Sequence, residues 1–158
     1  MNTEVRNIEP KALWNNFADL NAVPRGSKKE EKVINFMVSF GKKLGLETSV
    51  DTVGNVLIKK PATQGMENRK TIVMQSHLDM VHQKNNDTNF NFDTQGIEMF
   101  IEGDWVKAKG TTLGADNGLG VATIMSVLQS DSIPHPPIEA LFTIDEETGM
   151  TGAKGLKG

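Results

Sequence analysis

The chain has no cysteine. That excludes disulfides, thiolate metal sites and cysteine nucleophiles, and it is compatible with a reducing cytoplasm. Positive charge is not in excess: 17 Lys and Arg stand against 20 Asp and Glu, a formal net charge of -3. The basic surface on which non-specific nucleic-acid binding depends is therefore missing, and no nucleic-acid partner is expected. No apolar run approaches the roughly 20 residues of a membrane span, so no membrane association is expected. Between Met1 and Leu20 no basic region leads into an apolar one, so no secretory signal is predicted. Internal repeats and low-complexity tracts are also missing. What is present is a globular composition, 37% hydrophobic and 23% charged over 158 residues. That length fits one ordinary domain, able to bury roughly 70% of the surface its unfolded chain exposes.

Apolar spacing predicts a short helix over Pro10 to Leu20 and a longer one over Lys28 to Leu44, whose stripe is Val33, Ile34, Met37, Phe40 and Leu44. Ser27 is placed to cap the longer helix, with Glu30 completing a capping box, and Gly45 to end it. Glu47 to Asp51 and Asn55 to Lys60 read as a strand pair around a turn at Thr52-Val53-Gly54. Thr71 to Met74 suits a buried strand. His82 to Gln95 is polar and reads as a surface loop. Ile97 to Ile101 and Trp105 to Ala108 read as two more strands, Asp116 to Gln129 as a helix, Ile138 to Ile144 as a strand, and Met150 onward as helical. Strands mixed with helices predict an α/β fold, a mixed sheet covered by helices.

Three clusters stand at the edges of these elements. Ser76-His77-Leu78-Asp79 follows a strand. Ligands in open α/β sheets gather beyond the carboxyl ends of strands. His77 offers a ring nitrogen to a metal, and Asp79 can hold the other nitrogen. The same four residues also read as a loop histidine beside an Asx turn. Gly114-Ala115-Asp116-Asn117-Gly118 opens a helix. Asp116 fits either a plain N-cap or a carboxylate that bridges two cations. The surrounding glycines match neither a Walker loop nor Gly-x-Gly-x-x-Gly. Asp145-Glu146-Glu147 ends a strand. It reads as solvated surface, or as a repulsive cluster relieved by a dication, with one Glu as ligand and the other as general base. His82 and His135 read as surface residues, and Trp14 and Trp105 as core or interface packing.

In this order the clusters resemble the M20-type superfamily of co-catalytic zinc peptidases. The stretches Ser76 to Val81, Leu113 to Gly120 and Asp145 to Ala153 resemble, more closely, the aminoacyl-histidine (Xaa-His) dipeptidase family, also called cytosol non-specific dipeptidase. Trp14-Asn15-Asn16-Phe17 and Pro24-Arg25-Gly26-Ser27 look like that family's opening. The resemblance implies hydrolysis of dipeptides, especially Xaa-His, by a water activated between two zinc ions. It implies His77, Asp116 and Glu147 as metal ligands, Asp79 as the residue orienting His77, and Glu146 as general base. Manganese or cobalt are possible substitutes for zinc. It further implies a cytoplasmic enzyme, homodimeric when complete. Residues 1–158 would be the N-terminal part of its catalytic domain, with the lid or dimerisation domain and the last ligands absent and the activity of this stretch alone in doubt. Two alternatives stand beside it: a non-catalytic metal- or peptide-binding remnant, and a related aminopeptidase or N-acyl amino acid amidohydrolase.

Overall fold

A strand whose two ends differ in character sets the architecture. The computed structural model describes residues 2–157. After a single 3-10 turn at Val5–Asn7, the elements are α1 (Lys11–Asn21), α2 (Glu31–Lys43), β1 (Glu47–Val50), β2 (Val56–Lys60), β3 (Ile72–His77), β4 (Met99–Glu102), β5 (Trp105–Ala108), α3 (Ala115–Gln129), β6 (Ile138–Thr143) and α4 (Thr151–Lys154). Four strands form one sheet in the order β1-β2-β6-β3, and β4 pairs with β5 in a separate hairpin. β2 runs antiparallel to both β1 and β6, while β3 and β6 are parallel. The sheet is therefore mixed, as expected.

Parallel neighbours need a long crossover. Here it runs through β4, β5 and α3. Its consequence is that β3 and β6 end side by side, with His77 opposite Thr143. Two of the three clusters are thereby delivered to one edge of the sheet. The core lies on one sheet face, where Val56, Ile58, Ala140 and Phe142 meet Val33 and Met37 of α2 and Val121 and Met125 of α3. A second cluster under β4 joins Phe17 of α1 to Met80, Met99 and Ala122. Each of the buried Val, Ile, Phe and Met side chains contributes about 1.5–3 kcal/mol relative to exposure, which fixes α3 and the strand ends against each other.

Several local expectations are corrected. The strand over Thr71 to Met74 is not buried: Ile72 and Val73 are 49% and 58% exposed. β3 is an edge strand with β6 on one side only, and composition cannot distinguish an edge from a centre. The capping box is not formed either. α2 starts at Glu31 with no side-chain cap. Ser27 and Glu30 have more distant partners, described below. Gly45, at φ +69, does end α2 as expected. His135 is buried, not on the surface, and its Nδ1 lies 2.8 Å from the carbonyl of Pro136. His82 is half-buried, stacked on Phe92 with ring centroids 4.2 Å apart. Trp14 packs on the second cluster, but Trp105 is 71% exposed and takes no part in the core. The helix after Met150 is one turn, Thr151–Lys154.

Candidate metal centre

All three clusters meet at the shared end of β3 and β6. His77 is the last residue of β3 and is buried. Its Nε2 lies 3.0 Å from Asp116 Oδ1 and 3.8 Å from Glu146 Oε2. One ligand atom each from His77, Asp116 and Glu147 lie within 4.8 Å of one another. These are the three residues that the family resemblance implies as metal ligands.

Asp116 reaches this point because it is not a helix cap. α3 begins after Gly114, which has φ +72, and Asp116 and Asn117 have non-helical angles with a cis peptide between them. No side chain caps this end, so the carboxylate projects free, 82% exposed, towards His77. Asn117 turns the other way and accepts a 2.7 Å bond from the Ser76 hydroxyl.

Asp79 organises the rest. It is fully buried. Its Oδ1 accepts the backbone N–H of Glu146 at 3.0 Å and lies 3.3 Å from His77 Nδ1. Its Oδ2 accepts the Ser27 hydroxyl at 2.7 Å and the backbone N–H of Glu147 at 3.2 Å. One carboxylate thus fixes both the imidazole and the loop that carries both glutamates. Burial pushes the Asp79 carboxyl up, but the His77, Glu146, Ser27 and Glu147 hydrogen bonds outweigh burial and hold it well below the usual carboxylate range. For His77, burial lowers the imidazole. The bonds to Asp79 and Asp116 and the charges of Asp79 and Glu146 prevail and raise it to about 9. Burial, opposed by His77 and reinforced by the neighbouring carboxylates, raises Glu147.

The donor set fits a divalent cation. Nδ1 faces the Asp79 carboxylate and, at 3.1 Å, the Asp79 carbonyl, so it carries a hydrogen, and Nε2 points at the carboxylates. Histidine ligands are oriented by an acceptor on the far nitrogen in this way. The surplus of carboxylates around Nε2 favours positive charge there, whether proton or metal.

A second acidic group, Glu30, Asp79 and Asp145, also converges within 4.8 Å and is buried. Protein donors already occupy it. Asp145 accepts from the hydroxyls of Thr148 and Thr151, which hold it below its ordinary value against burial. Glu30 accepts the backbone N–H groups of Lys28 and Asp145, each at 3.0 Å. Burial raises Glu30 despite these bonds. Asp145 therefore shapes the turn, at φ +51, and leaves its two neighbours to face His77.

Sequence reasoning missed the residues that hold this arrangement from outside the clusters: Arg25, Ser27 and Glu30, all on the segment before α2. Besides Asn21 and Lys28, their partners are 52 to 115 positions away, so no local periodicity reports them. Arg25 is 1% exposed. Its Nη1 donates to the carbonyls of Leu78 and Asp79 at 3.1 and 3.4 Å, and its Nη2 to Asn21 Oδ1 at 3.0 Å and the Gly114 carbonyl at 2.6 Å. Burial lowers the guanidinium to about 10 against the opposing Asp79 charge. A Cβ at Gly114 would lie 2.4 Å from Nη2 and 2.8 Å from the Met80 sulfur. With φ +72 added, Gly114→Ala is expected to cost about 2–4 kcal/mol, measurable by denaturant unfolding; an unchanged midpoint would contradict this packing.

The parallel β3–β6 pair brings one imidazole and several carboxylates to adjoining strand ends, a donor set of the kind that metal-dependent hydrolases use. Peptidase family M28 is the family model that matches, over residues 55–157, and the chain belongs to that family. Among individual proteins, the cytosol non-specific dipeptidase of Escherichia coli is 49% identical over 156 residues, a match that covers 99% of this chain and 32% of that one. The crystal structure of aminoacylhistidine dipeptidase from Vibrio alginolyticus superposes with a TM-score of 0.96 at 50% identity, again over 99% of this chain and 32% of that chain. An aminopeptidase from Bacillus cereus matches with a TM-score of 0.76 at 28% identity, over 95% of this chain and 40% of its own. The chain thus spans about a third of the length of the two dipeptidases it matches.

Proposed function

We propose that the chain carries the first part of the metal centre of a peptidase that hydrolyses dipeptides, Xaa-His among them. The observation that carries this reading is the convergence of His77, Asp116 and Glu147 within 4.8 Å, with Glu146 beside them. The substrate class is drawn from the dipeptidases to which the chain is similar. The metal is zinc, two ions in the complete site, and a carboxylate-rich set of this kind also suits Mn2+ or Co2+. When bound, the cations supply Lewis acidity to water and to the scissile carbonyl.

The chain's own residues divide the remaining work. His77 offers Nε2, and Asp79 fixes the ring that presents it. Asp116, exposed at the helix start with its Oδ1 3.0 Å from His77 Nε2, would offer its carboxylate to both cations, and Glu147 would serve the second. Glu146 stands next to the ligands with its backbone tied to Asp79. It is the base that takes a proton from water and passes it to the leaving amine. The remaining ligands, the lid and the dimer interface belong to the parts of the protein outside these 158 residues, which form the N-terminal part of a cytoplasmic enzyme's catalytic domain.

The test is a substrate panel on the native protein that carries this chain. Xaa-His dipeptides are expected to be cleaved, with activity lost on chelation and restored by Zn2+, Mn2+ or Co2+. Preference for N-acyl amino acids, or hydrolysis indifferent to chelators, would contradict the reading. Stoichiometric metal uptake with no hydrolysis of any peptide would favour a binding module instead.

A further inference from the structure

A fully buried guanidinium with no carboxylate in hydrogen-bond contact is costly unless its donors are used. The Arg25 head has its two terminal nitrogens bonded to four oxygens, and its Nε alone has no partner among the described residues. Three of the four acceptors are backbone carbonyls from two separate segments. Leu78 and Asp79 lie within two residues of His77, and Gly114 lies two residues before Asp116. Gly114 and Gly118 admit the guanidinium, since a Cβ at either would come within 2.6 Å of Nη2. The Arg25 backbone is tied to the same place, because its carbonyl accepts the N–H of Met80 at 3.0 Å.

We propose that Arg25 is a positioning residue. Its guanidinium bridges the end of β3 to the start of α3 and so sets the spacing between His77 and Asp116, the pair that shares a cation. This rests on the metal reading of the site. Arg25 touches neither ligand side chain. It acts through the main chain on either side of them. A planar fork can bond two segments at once in fixed directions, whereas an ammonium is a single point. Arg25→Lys keeps the charge and loses the bridge.

The experiment uses the native protein that carries this chain, with Co2+ as the probe. Arg25→Lys is expected to fold, to bind Co2+ about tenfold or more weakly, and to show a shifted visible Co2+ spectrum at saturating metal, with kcat reduced more than KM is changed. A purely structural arginine would lower the melting temperature and leave the saturated spectrum alone. A folded Arg25→Lys with native Co2+ affinity and spectrum therefore overturns the proposal. If Arg25→Lys does not fold, Gly118→Ala decides, since its Cβ would come within 2.6 Å of Nη2 and displaces the guanidinium from the Gly114 carbonyl while leaving the arginine in place. A spectral shift with weakened binding supports the bridge, and an unchanged spectrum and affinity overturn it. Failure of the metal reading looks different: the unmodified protein takes up no Co2+, or His77→Ala takes it up unchanged.

Discussion

Replacing Glu146 with Gln in the native, metal-loaded protein is expected to lower kcat for dipeptide hydrolysis by a factor of about 10²–10⁴, with metal content unchanged. Gln keeps the shape and the reach of Glu and loses only the ability to accept a proton. Position 146 is held by its backbone, whose N–H donates to Asp79 Oδ1, so the loop and the neighbouring Glu147 should not move. Its carboxylate lies 3.8 Å from His77 Nε2 and is 40% exposed, close enough to the proposed ligands to serve a water bound between them and open enough to exchange the proton. Activity near the native level, with metal content measured and equal, would remove Glu146 from the role of base. Loss of metal along with activity would make it a ligand instead.

The second large effect is expected at Asp79. In Asp79→Asn the new amide must point its N–H groups at one pair of existing donors, either His77 with the Glu146 N–H, or Ser27 with the Glu147 N–H. Breaking a buried charged pair by removing one partner costs about 3–5 kcal/mol, and the loss of the imidazole's support should weaken metal binding by about 10–100-fold. The effect has a pH signature in the metal-free protein. The Asp79 carboxyl is depressed in the folded state, so its contribution is present above the ordinary value of 3.8 and is lost as pH falls below it. The His77 imidazole is raised to about 9, so its contribution is complete below the ordinary 6.5 and is lost as pH rises through 9. The stability gap between native protein and Asp79→Asn should therefore be widest between about pH 4 and 6.5 and narrow on both sides. Urea unfolding of both proteins across pH 3 to 10 checks this. A gap that does not vary with pH would mean that Asp79 acts by shape and not by charge.

The parts of this site that were legible in the sequence are those where chemistry and local structure are contiguous. His77 is the last residue of β3, and Glu147 lies four residues past Thr143, the end of β6, so the apolar runs announce both the elements and the ends at which ligands gather. The sheet's parallel pair then does the assembling. The illegible part is the frame around the site. Ser27 and Glu30 have the spacing of a capping box, but a carboxylate 52 positions away and a backbone N–H 115 positions away claim them. Tertiary partners of a charged site outweigh a cap worth about 1 kcal/mol. Arg25 sits between Pro24 and Gly26, where a charged residue reads as solvated loop. Only its four distant or side-chain acceptors explain its burial. The exposure of Ile72 and Val73 was hidden for another reason: an apolar β-branched strand has the same composition at the edge of a sheet as at its centre.

The measurement that bears most directly on the centre is the anomalous scattering of crystals of the native protein at the zinc edge. The account predicts two peaks, one within coordination distance, about 2.0–2.2 Å, of His77 Nε2 and the Asp116 carboxylate, the other of the Asp116 and Glu147 carboxylates, with Glu146 off the metal. An ion found instead among Glu30, Asp79 and Asp145, or no ion beside His77 in a zinc-saturated and active protein, would contradict it.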